Sequence, residues 1–155
     1  MRVVVQRVLE SSVTVEGQTS GAISRGVLLL VGFGADDDES QLAPMANKVA
    51  NLRIFPNDAG RFDRSLIDEK LPALAVPQFT LYADCKKGRR PEFFGALAPA
   101  KAEPLFELFV SCLEELLAQP VQKGVFGADM KVSLVNDGPV TITLDSDELF
   151  RSIQS

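Results

Sequence analysis

Gly26-Val27-Leu28-Leu29-Leu30-Val31-Gly32 decides the architecture. Five large apolar residues in a row leave no polar face, the pattern of a central strand covered on both sides. Upstream, Met1 to Val8 and Ser12 to Val15 read as strands leading to a turn at Glu16-Gly17. Downstream the period lengthens. Asp36 to Glu39 makes an acidic helix start, and Leu42, Met45, Val49 and Leu52 then recur at helical spacing. Pro44 lies inside that pattern, so the helix starts near it or kinks there. Leu52 to Phe55 reads as a strand and Asn57-Asp58-Ala59-Gly60 as a turn. Ala73 to Leu81 is a further strand, broken at Pro77. A second helix is expected from about Pro99, with Leu105, Phe109, Cys112 and Leu116 on one apolar stripe. Near the end Met130, Val132 and Leu134 alternate with polar neighbours, as do Val140, Ile142 and Leu144. That pattern predicts two strands around a tight connection at Asn136-Asp137-Gly138-Pro139. Ser146 to Ser155 is expected to form a short helix or to fray. The sum is an α+β fold in one domain over residues 1–155, with six to eight strands, mixed or antiparallel, and two main helices.

Composition narrows the chemistry. With 155 residues, 46% apolar and 24% charged, the chain can bury a core as one globular domain. No apolar run has the ~18–20 residues of a membrane span. Met1-Arg2-Val3-Val4-Val5-Gln6-Arg7 lacks the apolar stretch of a signal peptide, so a cytoplasmic location is expected. Cys85 and Cys112 are read as reduced, partly buried thiols, since a lone distant pair makes neither a disulfide framework nor a metal site. The chain contains no histidine. That excludes Ser-His-Asp and Cys-His nucleophile pairs and a histidine base, and it removes the usual ligand of a catalytic zinc. No metal or cofactor is expected. Any catalysis must use backbone donors, hydroxyls, carboxylates, lysine or groups on the substrate. The net charge of −5 gives no general sign of nucleic-acid binding. Lys86-Lys87-Gly88-Arg89-Arg90 is the local exception, either a solvated loop or a phosphate-binding patch.

Two segments carry the remaining signal. Pro77-Gln78-Phe79-Thr80-Leu81 runs through Tyr82-Ala83-Asp84-Cys85 into the basic run, and Asn136-Asp137-Gly138-Pro139-Val140-Thr141 follows later. The first also suits the end of a half-buried strand, and the second a hairpin turn. Proline after the turn glycine, however, removes a backbone donor where the next strand would begin. A Gly-Pro bond is also a place where the cis isomer costs only about 0.5–1 kcal/mol relative to trans.

These two segments resemble the signature motifs of the D-aminoacyl-tRNA deacylases, Ser-Gln-Phe-Thr-Leu and Asn-x-Gly-Pro-x-Thr. The resemblance extends in order through Val4-Val5-Gln6-Arg7-Val8, Asn51-Leu52-Arg53-Ile54-Phe55, Arg64-Ser65-Leu66, Lys87-Gly88-Arg89-Arg90-Pro91 and Phe126-Gly127-Ala128-Asp129-Met130. It implies a barrel-like homodimer with its site at the subunit interface, acting on the aminoacylated 3′ end of tRNA. Gly138-Pro139 would be a cis pair inserted into the other subunit's pocket, meeting the substrate amino group and excluding L side chains. Gln78, Phe79 and Thr80 would line the ester, with backbone N–H groups as oxyanion donors and the terminal adenosine 2′-hydroxyl activating water. Arg7, Pro77, Met130 and Asn136 would support the site, while Lys86, Lys87 and Arg90 would contact tRNA. Hydrolysis of a glycyl ester is expected too, since glycine has no side chain to clash.

One residue departs from the pattern. Pro77 stands where the family motif has serine, which removes a hydroxyl and a backbone donor. Pro-Gln here resembles an animal paralogue with relaxed chiral selection, but that paralogue replaces the phenylalanine that Phe79 retains. An RNA-end binding module without catalysis, an esterase for other substrates and a plain dimerisation domain are the alternatives. Release of free amino acid from D-tyrosyl-tRNA separates them.

Overall fold

The computed structural model describes residues 1–151. Its elements run β1 (Arg2–Val15), β2 (Gln18–Ile23), β3 (Gly26–Gly32), α1 (Leu42–Asn51), β4 (Phe55–Pro56), β5 (Phe62–Arg64), α2 (Leu66–Glu69), β6 (Ala73–Pro77), α3 (Pro99–Leu117), β7 (Gln122–Lys123), β8 (Lys131–Asp145) and α4 (Ser146–Phe150). Short 3-10 turns at Glu39–Gln41 and Phe79–Tyr82 complete them. The main sheet has the order β2-β1-β3-β6-β7, and β8 pairs with the other edge of β1. β6 is parallel to β3 and to β7, and the remaining pairs are antiparallel. The two ends of this order nearly meet. A Cβ on Gly21 of β2 would lie 2.9 Å from the Lys123 carbonyl of β7, so the absence of a side chain there lets the sheet curl into a barrel-like form.

The central strand buries both faces. Val27, Leu29 and Val31 of β3 join the larger core with Phe106, Phe109 and Leu113 of α3 and Met45 and Val49 of α1. Leu28 faces the opposite way, into the barrel, with Val8, Val13, Ile23, Leu74 and Val76. Full burial of each such side chain stabilises the fold by roughly 1.5–3 kcal/mol. Pro44 is the third residue of α1, where the N–H has no partner within the helix, so the proline neither delays nor kinks it.

Two expectations about strands are corrected. The two N-terminal strands are one, the fourteen-residue β1. The two C-terminal strands are also one, β8, and both of its halves pair with β1 rather than with each other. Gln6 pairs with Thr141 and Val8 with Asn136, so residues 137–140 bulge out opposite the single residue Arg7. Three extra residues invert the in-out alternation. Val132 and Leu134 therefore face the barrel interior, while Val140 and Leu144 join the helix-covered core. In the sequence this inversion imitates a hairpin. The expected strand at Leu52 to Phe55 shrinks to Phe55–Pro56, and the Ala73 to Leu81 strand ends at Pro77. Ser146–Phe150 is helical, and the rest of that predicted segment lies outside the described residues from 152 onward. Among the described residues no helix is long and apolar enough to cross a membrane.

The faces of α3 supply a test. Phe109→Ala should cost about 3–5 kcal/mol of unfolding free energy in a urea titration, because Phe109 is wholly buried. Leu108→Ala, at a position 42% exposed on the same helix, should cost less than about 1 kcal/mol. Similar losses for both would contradict this packing.

Candidate functional site

The first motif lies where β6 ends. Pro77 closes the ladder with β3, and the Gln78 N–H donates to the Val31 carbonyl at 2.8 Å. The chain then turns into the Phe79–Tyr82 3-10 segment, whose first donor is the Leu81 amide, on the Gln78 carbonyl at 3.3 Å. The amides of Phe79 and Thr80 precede that donor, so the turn itself makes no use of them. Two adjacent N–H groups at such a turn can stabilise an oxyanion. The Gln78 side-chain amide donates to the Thr80 hydroxyl oxygen. An amide cannot take the hydroxyl proton, so this arrangement positions Thr80 without activating it as a nucleophile.

Beside the turn is a cavity of about 350 Å³, lined by Gln78, Phe79, Phe93, Ala98, Phe126 and Gly127 among others. Its wall is mostly apolar, the usual character of a small-molecule site. Phe79 and Phe93 meet edge to face, with centroids 5.1 Å apart and planes at 69°. Such a pair adds about 0.5–1.5 kcal/mol beyond its buried area. Met130 packs into the barrel core below, where it and Pro77 flank Gly124.

A polar cluster fixes the back of the turn, and sequence reading missed it. Arg2 donates from Nη1 to the Leu81 carbonyl at 2.8 Å and from Nε to Asp145 Oδ2 at 3.0 Å. Its guanidinium lies 4.4 Å from the centroid of the Tyr82 ring. The Tyr82 hydroxyl donates to Asp37 Oδ2 at 3.3 Å, and the same oxygen meets the Met1 ammonium at 2.6 Å. Burial and the charges of Asp37 and Asp145 push the Tyr82 pKa up, so it remains a donor. The one visible clue was a charge, Arg2, next to three valines in the opening strand. Nothing local linked it to a turn nearly eighty positions away.

The second motif forms a separate cluster, the bulge in β8. The Gly138-Pro139 bond is cis, and both residues are exposed. Asn136 ties the bulge from within: its Oδ1 accepts from the Val140 N–H at 2.7 Å, and its Nδ2 donates to the Thr141 hydroxyl at 2.9 Å. Buried Arg7 holds it from behind, donating from Nε to the Asp137 carbonyl at 3.0 Å and from Nη1 to the Ile54 carbonyl at 2.7 Å. Gly138 has φ +131°, and a Cβ there would lie 2.9 Å from Val140 and 3.1 Å from Arg7 Nη2. Any side chain at this position would be strained and crowded.

The two clusters do not meet within one chain. Val3 pairs with Val31, beside Gln78, whereas Arg7 pairs with Val27. They are thus four rungs apart, on the order of 13 Å along the strand. They also lie on opposite sides of the β1-β3 pair, one at β8 and the other at β6. Lys86, Lys87 and Arg90 are exposed in a loop closed by the Asp84-Glu92 bridge. Cys112 is partly buried as expected, but Cys85 is exposed in that loop. Among the described residues no cluster of three or more histidine, cysteine, aspartate or glutamate side chains could hold a metal ion.

The sequence matches the family described as D-Tyr-tRNA(Tyr) deacylase over residues 4–145. It is 56% identical over 149 residues to a D-aminoacyl-tRNA deacylase of Thermomicrobium roseum, covering 96% of each chain. A D-aminoacyl-tRNA deacylase of Roseiflexus castenholzii is likewise 56% identical, over 94% of this chain and 92% of the relative. Among solved structures, the c-Myc DNA unwinding element binding protein superposes with a TM-score of 0.88 at 39% identity, covering 94% of this chain and 98% of that one. A probable eukaryotic D-amino acid tRNA deacylase shares the fold, with a TM-score of 0.82 at 18% identity over 92% of this chain and 97% of its own. With both motifs built and the match running almost end to end, the chain belongs to the D-aminoacyl-tRNA deacylase family.

Proposed function

We propose that this protein hydrolyses the ester bond of D-aminoacyl-tRNA, releasing the D-amino acid and tRNA, and that it does so as a homodimer in the cytoplasm. The observation that carries the reading is the separation of two well-formed clusters. The Gln78–Thr80 turn offers backbone donors beside a cavity, and the Gly138-Pro139 bulge is rigidly braced yet exposed. Across a dimer, the bulge of one copy closes the cavity of the other.

The chemistry follows from what the site contains. An aminoacyl ester is already reactive, so positioning and fixed backbone dipoles lower its barrier without a strong protein base. The Phe79 and Thr80 amides receive the developing oxyanion, and the substrate's terminal 2′-hydroxyl activates water. Gly138 and Pro139 read the amino group, α-carbon and carbonyl with main-chain atoms, leaving no space for an L side chain. A pocket that reads only common atoms accepts many D side chains and also the glycyl ester. Lys86, Lys87 and Arg90 contact the phosphates of the acceptor end.

The direct test compares release of amino acid from D-tyrosyl-tRNA and L-tyrosyl-tRNA. Hydrolysis of the D ester alone is expected, whereas tRNA binding without any release would leave a binding module instead. Thr80→Ala should keep activity within about tenfold, because removing a true nucleophile costs on the order of 10⁴-fold or more. A D-tyrosyl ester ending in 2′-deoxyadenosine should be hydrolysed far more slowly by the unaltered protein. Undiminished turnover of that ester would exclude the 2′-hydroxyl.

Arg7 connects the bulge to stability. Arg7→Met leaves the Asp137 and Ile54 carbonyls without their donor, at a cost of about 1–3 kcal/mol for each group that stays buried. The variant should unfold at lower urea and hydrolyse D-tyrosyl-tRNA more slowly even where it is fully folded. Unchanged turnover in the folded variant would separate the bulge from the site.

A further inference from the structure

Phe94 is 89% exposed, the most exposed of the large apolar residues in the described chain. A single exposed hydrophobe needs no explanation. This one is not single. Phe93 beside it is 37% exposed, and Phe79, which Phe93 meets edge to face, is 58% exposed. Phe79 and Phe93 line the cavity, and Phe94 follows Phe93 directly in the chain.

The turn that presents Phe94 is rigid. The Ala96 N–H donates to the Phe93 carbonyl at 3.0 Å, placing Phe94 at the corner of the turn. The Ala35 N–H holds the Gly95 carbonyl at 2.9 Å, and the Leu97 N–H holds that of Phe33 at 3.0 Å. A corner fastened in this way does not fold its ring back into the core. The ring is therefore held in solvent by the backbone beneath it.

The basic loop leads directly into this turn. Asp84 and Glu92 exchange backbone hydrogen bonds at 2.7 and 2.9 Å, so Lys86, Lys87, Arg89 and Arg90 are held on a closed loop two residues before Phe94. Among the described residues none of the four takes part in an ion pair. The acids nearby are Asp84, whose carboxylate accepts the Lys86 amide, and Glu92, both at the loop's base. A chain of net charge −5 thus places four of its sixteen lysines and arginines, unpaired, on the loop that leads into the turn of an exposed aromatic ring. Aromatic faces for bases with cations for phosphates is the combination that binds single-stranded nucleic acid.

We propose that Phe94, with the loop Lys86–Arg90, forms a stacking platform for the unpaired nucleotides that precede the esterified end of the RNA. This rests on the deacylase reading for its direction, with the terminal nucleoside in the cavity and the preceding bases leaving across Phe94. It assigns Phe94 a role in substrate recognition beyond the ester and the amino acid.

The experiment measures binding without catalysis, so it stands apart from any failure of hydrolysis. Two fluorescein-labelled RNA hairpins that carry no amino acid copy a tRNA acceptor stem, one with its unpaired 3′ nucleotides and one without. The unaltered protein should bind the first more tightly by anisotropy. Phe94→Ala should weaken that binding roughly five-fold or more, the scale of one lost base-aromatic stack, and leave the second hairpin nearly unaffected. Phe94→Trp should restore the affinity and Phe94→Leu should not. Equal binding of the two hairpins by the unaltered protein would overturn the proposal, as would rescue by leucine. An altered sedimentation mass of Phe94→Ala with unchanged RNA affinity would overturn it too, assigning the ring to a contact between copies of the chain.

Discussion

Both edges of β1 are occupied along most of its length. One edge carries β3 and then β2, and the other carries β8 almost throughout. A fourteen-residue strand paired on both sides cannot shift register without breaking several ladders together, so its geometry sets the positions of everything attached to it. Arg2 near its start braces the turn after β6, and Arg7 in its middle braces the bulge. Both arginines project from one strand, and the spacing between the two clusters is therefore a property of β1.

That rigidity suits chemistry in which the protein contributes position more than reactivity. A histidine-free chain has no imidazole to draw a proton from a hydroxyl. What remains are fixed N–H groups at a turn, fixed carbonyls at a bulge and an apolar cavity between aromatic rings. Fixed dipoles work only where they do not have to reorganise. The hydrogen bonds of Asn136, Arg7, Arg2 and Tyr82 all serve that requirement. Those of Asn136, Arg7 and Arg2 restrain backbone carbonyls or amides at one of the two clusters, and that of Tyr82 ties the turn to the Asp37 carboxylate.

The sequence showed the parts more clearly than their arrangement. The apolar run of β3 announced a strand buried on both faces, and the stripe on α3 announced its helix, because those signals are local and periodic. The hairpin at Asn136 to Pro139 was misread for an equally physical reason. A three-residue surplus in a bulge inverts alternation as a turn does, and only the partner strand distinguishes them. Gln78, Phe79, Gly138 and Pro139 were legible as motifs. Arg2, Asp37 and Tyr82 were not, since a charge acquires its role from neighbours brought in by the sheet. Pro77 shows the converse. The loss of a backbone donor looked serious in the sequence, yet the residue stands at the last rung of β6, where the ladder ends and the turn begins.

The charge distribution completes the argument. Outside the run Lys86 to Arg90 the acids outnumber the remaining lysines and arginines, so a polyanion meets net repulsion from the rest of the chain and attraction at this loop. That loop is tethered at its base by the Asp84-Glu92 bridge and leads in the chain to Phe93, which lines the cavity. In the proposed reading, repulsion elsewhere would work with attraction here to present the end of an RNA chain ahead of its duplex stem. A uniformly basic surface would hold the stem in many orientations, most of them with the ester far from the Phe79 and Thr80 amides. On the proposed reading an acidic chain with one basic loop would favour orientation over tight binding, in the same way that fixed backbone dipoles would favour position over reactivity.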